Sequence, residues 1–186
     1  MRLFVGIALA GAVVRELESA VSRLRSSDSG LRWTEPDSWH ITLQFLGNTT
    51  PEQYDCLMAR LSEVRHEPVH VQLGSLGCFD RAGVFFADVA ATSGLAALGR
   101  SVLAATGGCG FATETRPFHP HITLARSKGQ GRGAELRAFA ARMRGKPAFT
   151  PFTAREFLLY ESHLGVERAR YEVRGRFPLI GPASDV

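Results

Sequence analysis

His40-Ile41-Thr42-Leu43 and His121-Ile122-Thr123-Leu124 set the same four residues at two points of the chain. Each copy carries one group that can move a proton and one that can hold an oxyanion. An imidazole titrates near neutrality, so one ring can accept a proton while a second supplies one. A hydroxyl two residues further on can donate to an oxygen that gains charge in a transition state. In a strand, His40 and Thr42 project together while Ile41 and Leu43 face the other way, and the second copy repeats this, so each is half site and half core. Two such strands facing one another suit displacement at phosphorus, where a proton is removed and another donated on opposite sides of one atom. Arg126 lies just beyond the second copy, and a guanidinium can grip a phosphate through two hydrogen bonds. Its parity sets it off the His121 and Thr123 face, so reaching a shared anion requires a bend or a strand end near that point.

Other residues compete for roles. His119 shares face parity with His121, and with His40 the three make a metal-site alternative. Pro120 interrupts the strand, and no carboxylate or thiolate stands beside the three in sequence, so no metal is expected. His66, His70 and His163 read as solvated or structural. Trp33, Trp39 and Phe45 have flat faces on which a base can stack, but Phe45 is expected in the core. Two edge strands whose His and Thr residues merely face water remain the plain alternative.

The elements that must position these groups follow from periodicity. Leu3 to Ala8 reads as a buried strand; Val13, Leu17, Val21 and Leu24 then recur at helical spacing. Trp33 to Gly47 is extended, and Thr50-Pro51 opens a second helix, a capping residue followed by proline at the first helical position. Tyr54, Leu57, Met58, Leu61 and Val64 make its buried face. Val69 to Leu73 and Val84 to Val89 are expected strands, Leu95 to Ala105 a helix, and Ala134 to Arg144 a basic helix. Phe152 to Ser162 and Arg170 to Phe177 read as an antiparallel pair joined near Gly165. The Gly-rich stretches Thr106 to Gly110 and Lys128 to Gly133 are expected loops. The class is α+β. Each HITL strand is followed by a helix and then a pair of strands, as if one unit were duplicated.

A chain of 186 residues, 45% hydrophobic, is long enough to bury a core, and without a low-complexity linker one unit spanning 1–186 is expected. The net charge of +4 and pI near 9.3 permit anionic partners without proving them. Cys56, Cys78 and Cys109 are odd in number and widely spaced, so no disulfide framework or thiolate zinc site is expected and a reducing cytoplasm fits best. The apolar start MRLFVGIALAGAVV is short and soon followed by Arg15, Glu16 and Glu18, which suits a buried strand entering a helix better than a signal or membrane segment.

HITLQFLG in the first half and FHPHITLAR in the second together resemble the two-histidine phosphoesterase superfamily. Within it the chain is similar to the RNA 2′,3′-cyclic phosphodiesterases also known as 2′-5′ RNA ligases. The RLFVGIAL start, Trp33, the approach Arg116 to Pro120 and the late LYES segment extend the likeness over nearly the whole chain. The resemblance implies a bilobal α+β fold: two pseudo-twofold related antiparallel sheets, helices outside and a central cleft. It implies metal-free, cofactor-free hydrolysis of an RNA-terminal or small-nucleotide 2′,3′-cyclic phosphate to a 2′-phosphate. In that scheme His40 is the acid, His121 the base, and Thr42, Thr123 and Arg126 hold phosphate oxygens; exchanging the two histidines is equally compatible with sequence. Reversal would join a 5′-hydroxyl in a 2′-5′ linkage. A monomer is expected, and a module that binds RNA ends without catalysis is the competing reading.

Overall fold

The computed structural model describes residues 1–25, 30–112, 116–127, 148–165 and 169–181. The first strand, β1 (Arg2–Ala8), is buried from Leu3 through Ile7 and leads into α1 (Gly11–Arg25), whose Val13, Leu17 and Val21 enter the core. A short β2 (Leu31–Trp33) and a 3₁₀ turn over Pro36–Ser38 precede β3 (His40–Asn48), the first HITL strand. Next is α2 (Pro51–Ser62). Thr50 Oγ1 accepts from the Gln53 N–H at 3.2 Å while the Thr50 N–H donates to Gln53 Oε1 at 3.1 Å, so two otherwise unpaired donors of the first turn are satisfied. Strands β4 (Val69–Val71), β5 (Leu73–Phe79) and β6 (Val84–Val89) lead to α3 (Ser93–Gly107), capped by Thr92. The second HITL strand is β7 (His121–Ser127), and β8 (Phe152–Ala154), β9 (Glu156–Leu164) and β10 (Ala169–Pro178) follow.

Two four-stranded antiparallel sheets carry the site, in the orders β10-β9-β1-β3 and β2-β7-β6-β5, while β4 and β8 pair separately. One apolar core, including Leu3, Ile41, Phe85, Ile122 and Phe157, unites both sheets with the three helices among the described residues. The fold is thus α+β with two matched antiparallel halves. The first HITL strand is followed by α2 and the β5–β6 pair, the second by residues outside the described ones and then the β9–β10 pair, and each HITL strand is also preceded by a strand and a helix. Ala8, Ile7 and Gly6 of β1 lie opposite His40, Ile41 and Thr42, just as Asp88, Ala87 and Phe86 of β6 lie opposite His121, Ile122 and Thr123.

Several local expectations are corrected. The run Phe152 to Ser162 breaks at Arg155: β8 pairs with β4, whereas β9 crosses to the first sheet, where Phe157 to Tyr160 are all buried. Strand β5 escaped notice because Gly74 and Gly77 dilute its pattern. Gly77 must be small, since a Cβ there would stand 2.9 Å from the Phe86 ring. Helix α3 runs through Gly107 into the stretch expected to be a loop, with Thr106 fully buried. The helix expected over Ala134 to Arg144 and the loop from Lys128 to Gly133 lie outside the described residues, as do residues 166–168 after Gly165.

The expectation of no disulfide is overturned: Cys56 of α2 and Cys109 just after α3 are bonded, with Cα atoms 5.8 Å apart. Spacing concealed them because 53 residues separate the pair, and only the packing of α2 beside α3 brings them together. Closing a loop of this size restricts the unfolded chain, so reduction, or C56S with C109S, lowers stability by about 2–4 kcal/mol. Thermal unfolding with and without dithiothreitol measures it; identical melting curves would show that the bond contributes nothing.

Candidate active site

Both HITL strands place their residues by the same device. On β3, His40 and Thr42 face the cleft and Ile41 the core, but Leu43 and Gln44 then both turn inward. The register explains this: Gly6 pairs with Thr42 and Val5 with Gln44, leaving Leu43 as the extra residue of a β-bulge. On β7, Phe86 pairs with Thr123 and Phe85 with Ala125, so Leu124 is the extra residue and Leu124 and Ala125 are both buried. Past each bulge the parity is reversed. Arg126 therefore joins His121 and Thr123 on the cleft, which supplies the bend that simple alternation lacked. Its counterpart on β3 is Phe45, and the expectation of a core role for it is wrong: it is 68% exposed and lines the same cleft.

A threonine hydroxyl pins each bulge. Thr34 Oγ1 lies 2.9 Å from the carbonyls of Thr123 and Leu124, and it accepts from Trp39 Nε1 at 2.9 Å. Thr106 Oγ1 donates to Gln44 Oε1 at 2.6 Å inside the core. Neither threonine announces itself in sequence, since each acts on a strand distant along the chain. Trp39 is buried and structural, while Trp33 packs edge-on against Phe85 with the Arg25 guanidinium 5.9 Å above its ring.

The two imidazoles are held alike. His40 Nδ1 lies 2.8 Å from the Ser38 carbonyl and His121 Nδ1 2.8 Å from the His119 carbonyl. A carbonyl only accepts, so each ring donates its Nδ1–H to the residue two positions back, leaving Nε2 as the nitrogen available for proton exchange. The intervening residues Trp39 and Pro120 are buried and anchor both approaches. His40 packs against Phe4 and Tyr171 at centroid distances of 4.5 and 5.1 Å, and His121 against Phe79 and Phe86 at 5.0 and 5.5 Å. Gly6 makes room on the first side, because a Cβ there would stand 2.8 Å from the Ile41 carbonyl oxygen and 3.5 Å from the His40 ring.

These surroundings disfavour the charged rings. Burial pushes His40 down to about 4, against the hydrogen bond to Ser38, and a charge on His121 lowers it further. His121 is also lowered, chiefly by burial and then by His119 and Arg126, with the hydrogen bond to the His119 carbonyl and the Asp88 carboxylate opposing. His40 thus feels a charge on His121, and both rings are neutral near pH 7. A histidine whose pKa falls on folding binds more protons when unfolded, so its stabilisation is present above about 6.5 and is lost as pH falls toward 4. Urea unfolding between pH 7 and pH 4 should show a loss of about 2–3 kcal/mol attributable to His40. H40N should remove that part of the slope; an unchanged slope would refute the assignment.

The cleft has a volume of about 680 Å³ and is lined by His40, Thr42, His121, Thr123 and Arg126, the five residues expected from sequence. Phe4, Tyr171, Arg2, Arg32 and Thr34, which the sequence reading passed over, also line it. Burial raises the Tyr171 phenol and pushes Tyr160, beneath it, up to about 12, so both stay neutral donors. His119 turns instead to Asp88, Nε2 to Oδ1 at 3.0 Å. His66 is half-buried and bonds the Glu67 carbonyl through Nδ1 at 2.8 Å, His70 is exposed, and His163 meets Glu172 at 3.3 Å. Among the described residues, the grouping compact enough to hold a metal is Glu161, His163 and Glu172; none of the three lines the cleft, and Arg174 pairs with both glutamates.

Comparison with known proteins agrees with this geometry. A family model for the 2′-5′ RNA ligase superfamily matches residues 13–165. An RNA 2′,3′-cyclic phosphodiesterase of Archaeoglobus fulgidus is 30% identical over 167 residues, covering 88% of this chain and 92% of its own. One from Geobacillus stearothermophilus is 32% identical over 93% of this chain, which spans 57% of that relative's length. Escherichia coli LigT complexed with 3′-AMP superposes with a TM-score of 0.80 at 26% identity, covering 96% of this chain and 98% of LigT. A Thermus thermophilus protein superposes with a TM-score of 0.77 at 28% identity, covering 97% and 99%. The family match over most of the length, and the paired histidine strands that lie within it, lead to one conclusion: the chain belongs to the 2′-5′ RNA ligase superfamily of two-histidine phosphoesterases.

Proposed function

We propose that the chain hydrolyses a 2′,3′-cyclic phosphate, at an RNA end or on a small nucleotide, to a 2′-phosphate. The observation that carries this reading is the matched pair of imidazoles lining one cleft, each oriented through Nδ1 by the carbonyl two residues back and each followed by a cleft-facing threonine. In this mechanism His121 Nε2 takes a proton from water as the water oxygen bonds to phosphorus. The P–O3′ bond breaks on the far side, and the His40 imidazolium gives its proton to O3′. An imidazolium in a site that disfavours charge is a strong acid, and the substrate's own negative charge loads it with the proton. Thr42 and Thr123 donate to the non-bridging oxygens while Arg126 offsets the charge that grows there. Phe45 offers its exposed face to the base.

The mechanism is proposed as metal-independent because the guanidiniums of Arg2, Arg32 and Arg126, against one carboxylate, Glu35, make the cleft lining favour an anion over a cation. The same site run backwards joins a 5′-hydroxyl in a 2′-5′ linkage, and hydrolysis dominates because water far outnumbers RNA ends. We read residues 1–186 as one two-lobed unit acting as a monomer in the cytoplasm.

The test is incubation with an RNA ending in a 2′,3′-cyclic phosphate, with and without EDTA, resolving 2′- from 3′-phosphate products. A 2′-phosphate formed equally fast in both supports the reading. A 3′-phosphate, or loss of turnover with the chelator, overturns the bond assignment or the metal-independence. Salt-dependent RNA binding with no product at any pH would favour the binding module.

A further inference from the structure

The internal twofold is broken at the cleft in two places, both on the same side. At the position after the bulge, β3 presents Phe45 and β7 presents Arg126. In addition, β3 is the edge of its sheet, whereas β7 is covered by the extra strand β2. That strand sets Arg32 directly opposite Arg126, so two guanidiniums occupy one rung of an antiparallel ladder and both line the cleft. Like charges at such a position repel. Among the described residues no ion pair relieves them: Glu35, the carboxylate lining the cleft, lies 3.9 Å from Arg25 instead. If Arg126 serves the reacting phosphate, Arg32 stands one strand spacing further out, about 4.8 Å, with no anion to hold.

We propose that Arg32 grips the phosphodiester preceding the terminal nucleotide, so that the RNA chain leaves the site over β2 and a polynucleotide end is preferred to a cyclic mononucleotide. The inference rests on the cyclic-phosphate activity proposed above and adds to it a second phosphate subsite and a direction. The β3 side has Phe45 rather than a cation at the equivalent position and no strand beyond it, and its cleft-lining Arg2 lies on β1 opposite Asn48, at the far end of β3 from His40. A cyclic mononucleotide has a single phosphate and does not reach Arg32, whereas a longer RNA supplies the second anion that this rung lacks.

The experiment compares 2′,3′-cyclic AMP with a five-nucleotide RNA ending in the same adenosine cyclic phosphate. For R32A, kcat/KM on the RNA falls about 10- to 100-fold, as for a lost charge-assisted contact, while the mononucleotide value stays within about twofold. The slope of log kcat/KM on the RNA against log salt becomes shallower by about 1. R32K, which keeps the charge, retains that slope and guards against loss through misfolding. Fluorescence anisotropy with the 2′-phosphate-ended RNA shows the same weakening without turnover. Equal losses on both substrates, or no loss on the RNA, would overturn the subsite and leave the activity standing. Wild-type protein that turns over neither substrate would remove the activity and this inference together.

Discussion

H40A and H121A each reduce hydrolysis of a 2′,3′-cyclic nucleotide by about 10²–10⁴-fold, the range for loss of a positioned general acid or base. The double variant is little worse than either single one, because proton removal and proton donation belong to one displacement and losing either already stalls it. The single variants should differ in pH dependence, since each abolishes one limb of a bell-shaped profile: removing the acid flattens the alkaline limb and removing the base flattens the acid limb. This also decides between the two assignments of the histidines. His40 packs against Phe4 and Tyr171, so truncation leaves a gap in that cluster, and H40Q is the control that refills part of it. Near-wild-type melting with lost turnover is the expected pattern. Activity within tenfold of wild type in either single variant would show that the ring in question moves no proton.

How far the site was legible depended on whether a residue's position follows from local alternation. His40, Thr42, His121 and Thr123 were readable because two-residue periodicity holds from the start of each HITL strand to its threonine. One residue later it fails. The bulges at Leu43 and Leu124 are set by pairing with β1 and β6, and nothing in the tetrapeptides shows where a partner strand skips a residue. For this reason Arg126 needs a bend that the tetrapeptide does not show, and Phe45 reads as buried although it is exposed; both have a single cause. The broad class was accessible through the apolar periods of β1, α1 and α2, and capping at Thr50 was visible since all its partners lie within four residues. Strand β5 was not, because its glycines dilute the apolar pattern, and neither were the break at Arg155 and the Cys56–Cys109 bond, because each depends on a contact between segments far apart in sequence.

The same logic accounts for the residues that support the histidines. Phe4, Tyr171 and Phe86 are ordinary strand aromatics in sequence, yet they surround the rings, desolvate them and hold them neutral. Thr34 and Thr106 resemble solvent-facing polar residues, yet each ties a bulge to the rest of the fold. Aromatic walls keep the rings uncharged, while the pinned bulges decide which side chains face the cleft.

Arg126 is where these effects converge, and its removal is the second large loss expected. R126A lowers kcat by about 10²–10³-fold, the magnitude for a preorganised donor aimed at developing charge. KM changes less, provided the guanidinium acts mainly on charge that appears in the transition state rather than on the ground-state anion. The substitution also acts on His121, whose pKa Arg126 helps to depress. Without that positive charge the ring protonates more readily, so the acid limb of the rate profile moves to higher pH in R126A. R126K restores the charge and hence the limb. It recovers only part of kcat, because an ammonium cannot make the two parallel hydrogen bonds of a guanidinium. Loss of rate in R126A with an unmoved acid limb would separate Arg126 from His121, and full rate in R126K would mean that charge alone, without bidentate geometry, is what the site requires.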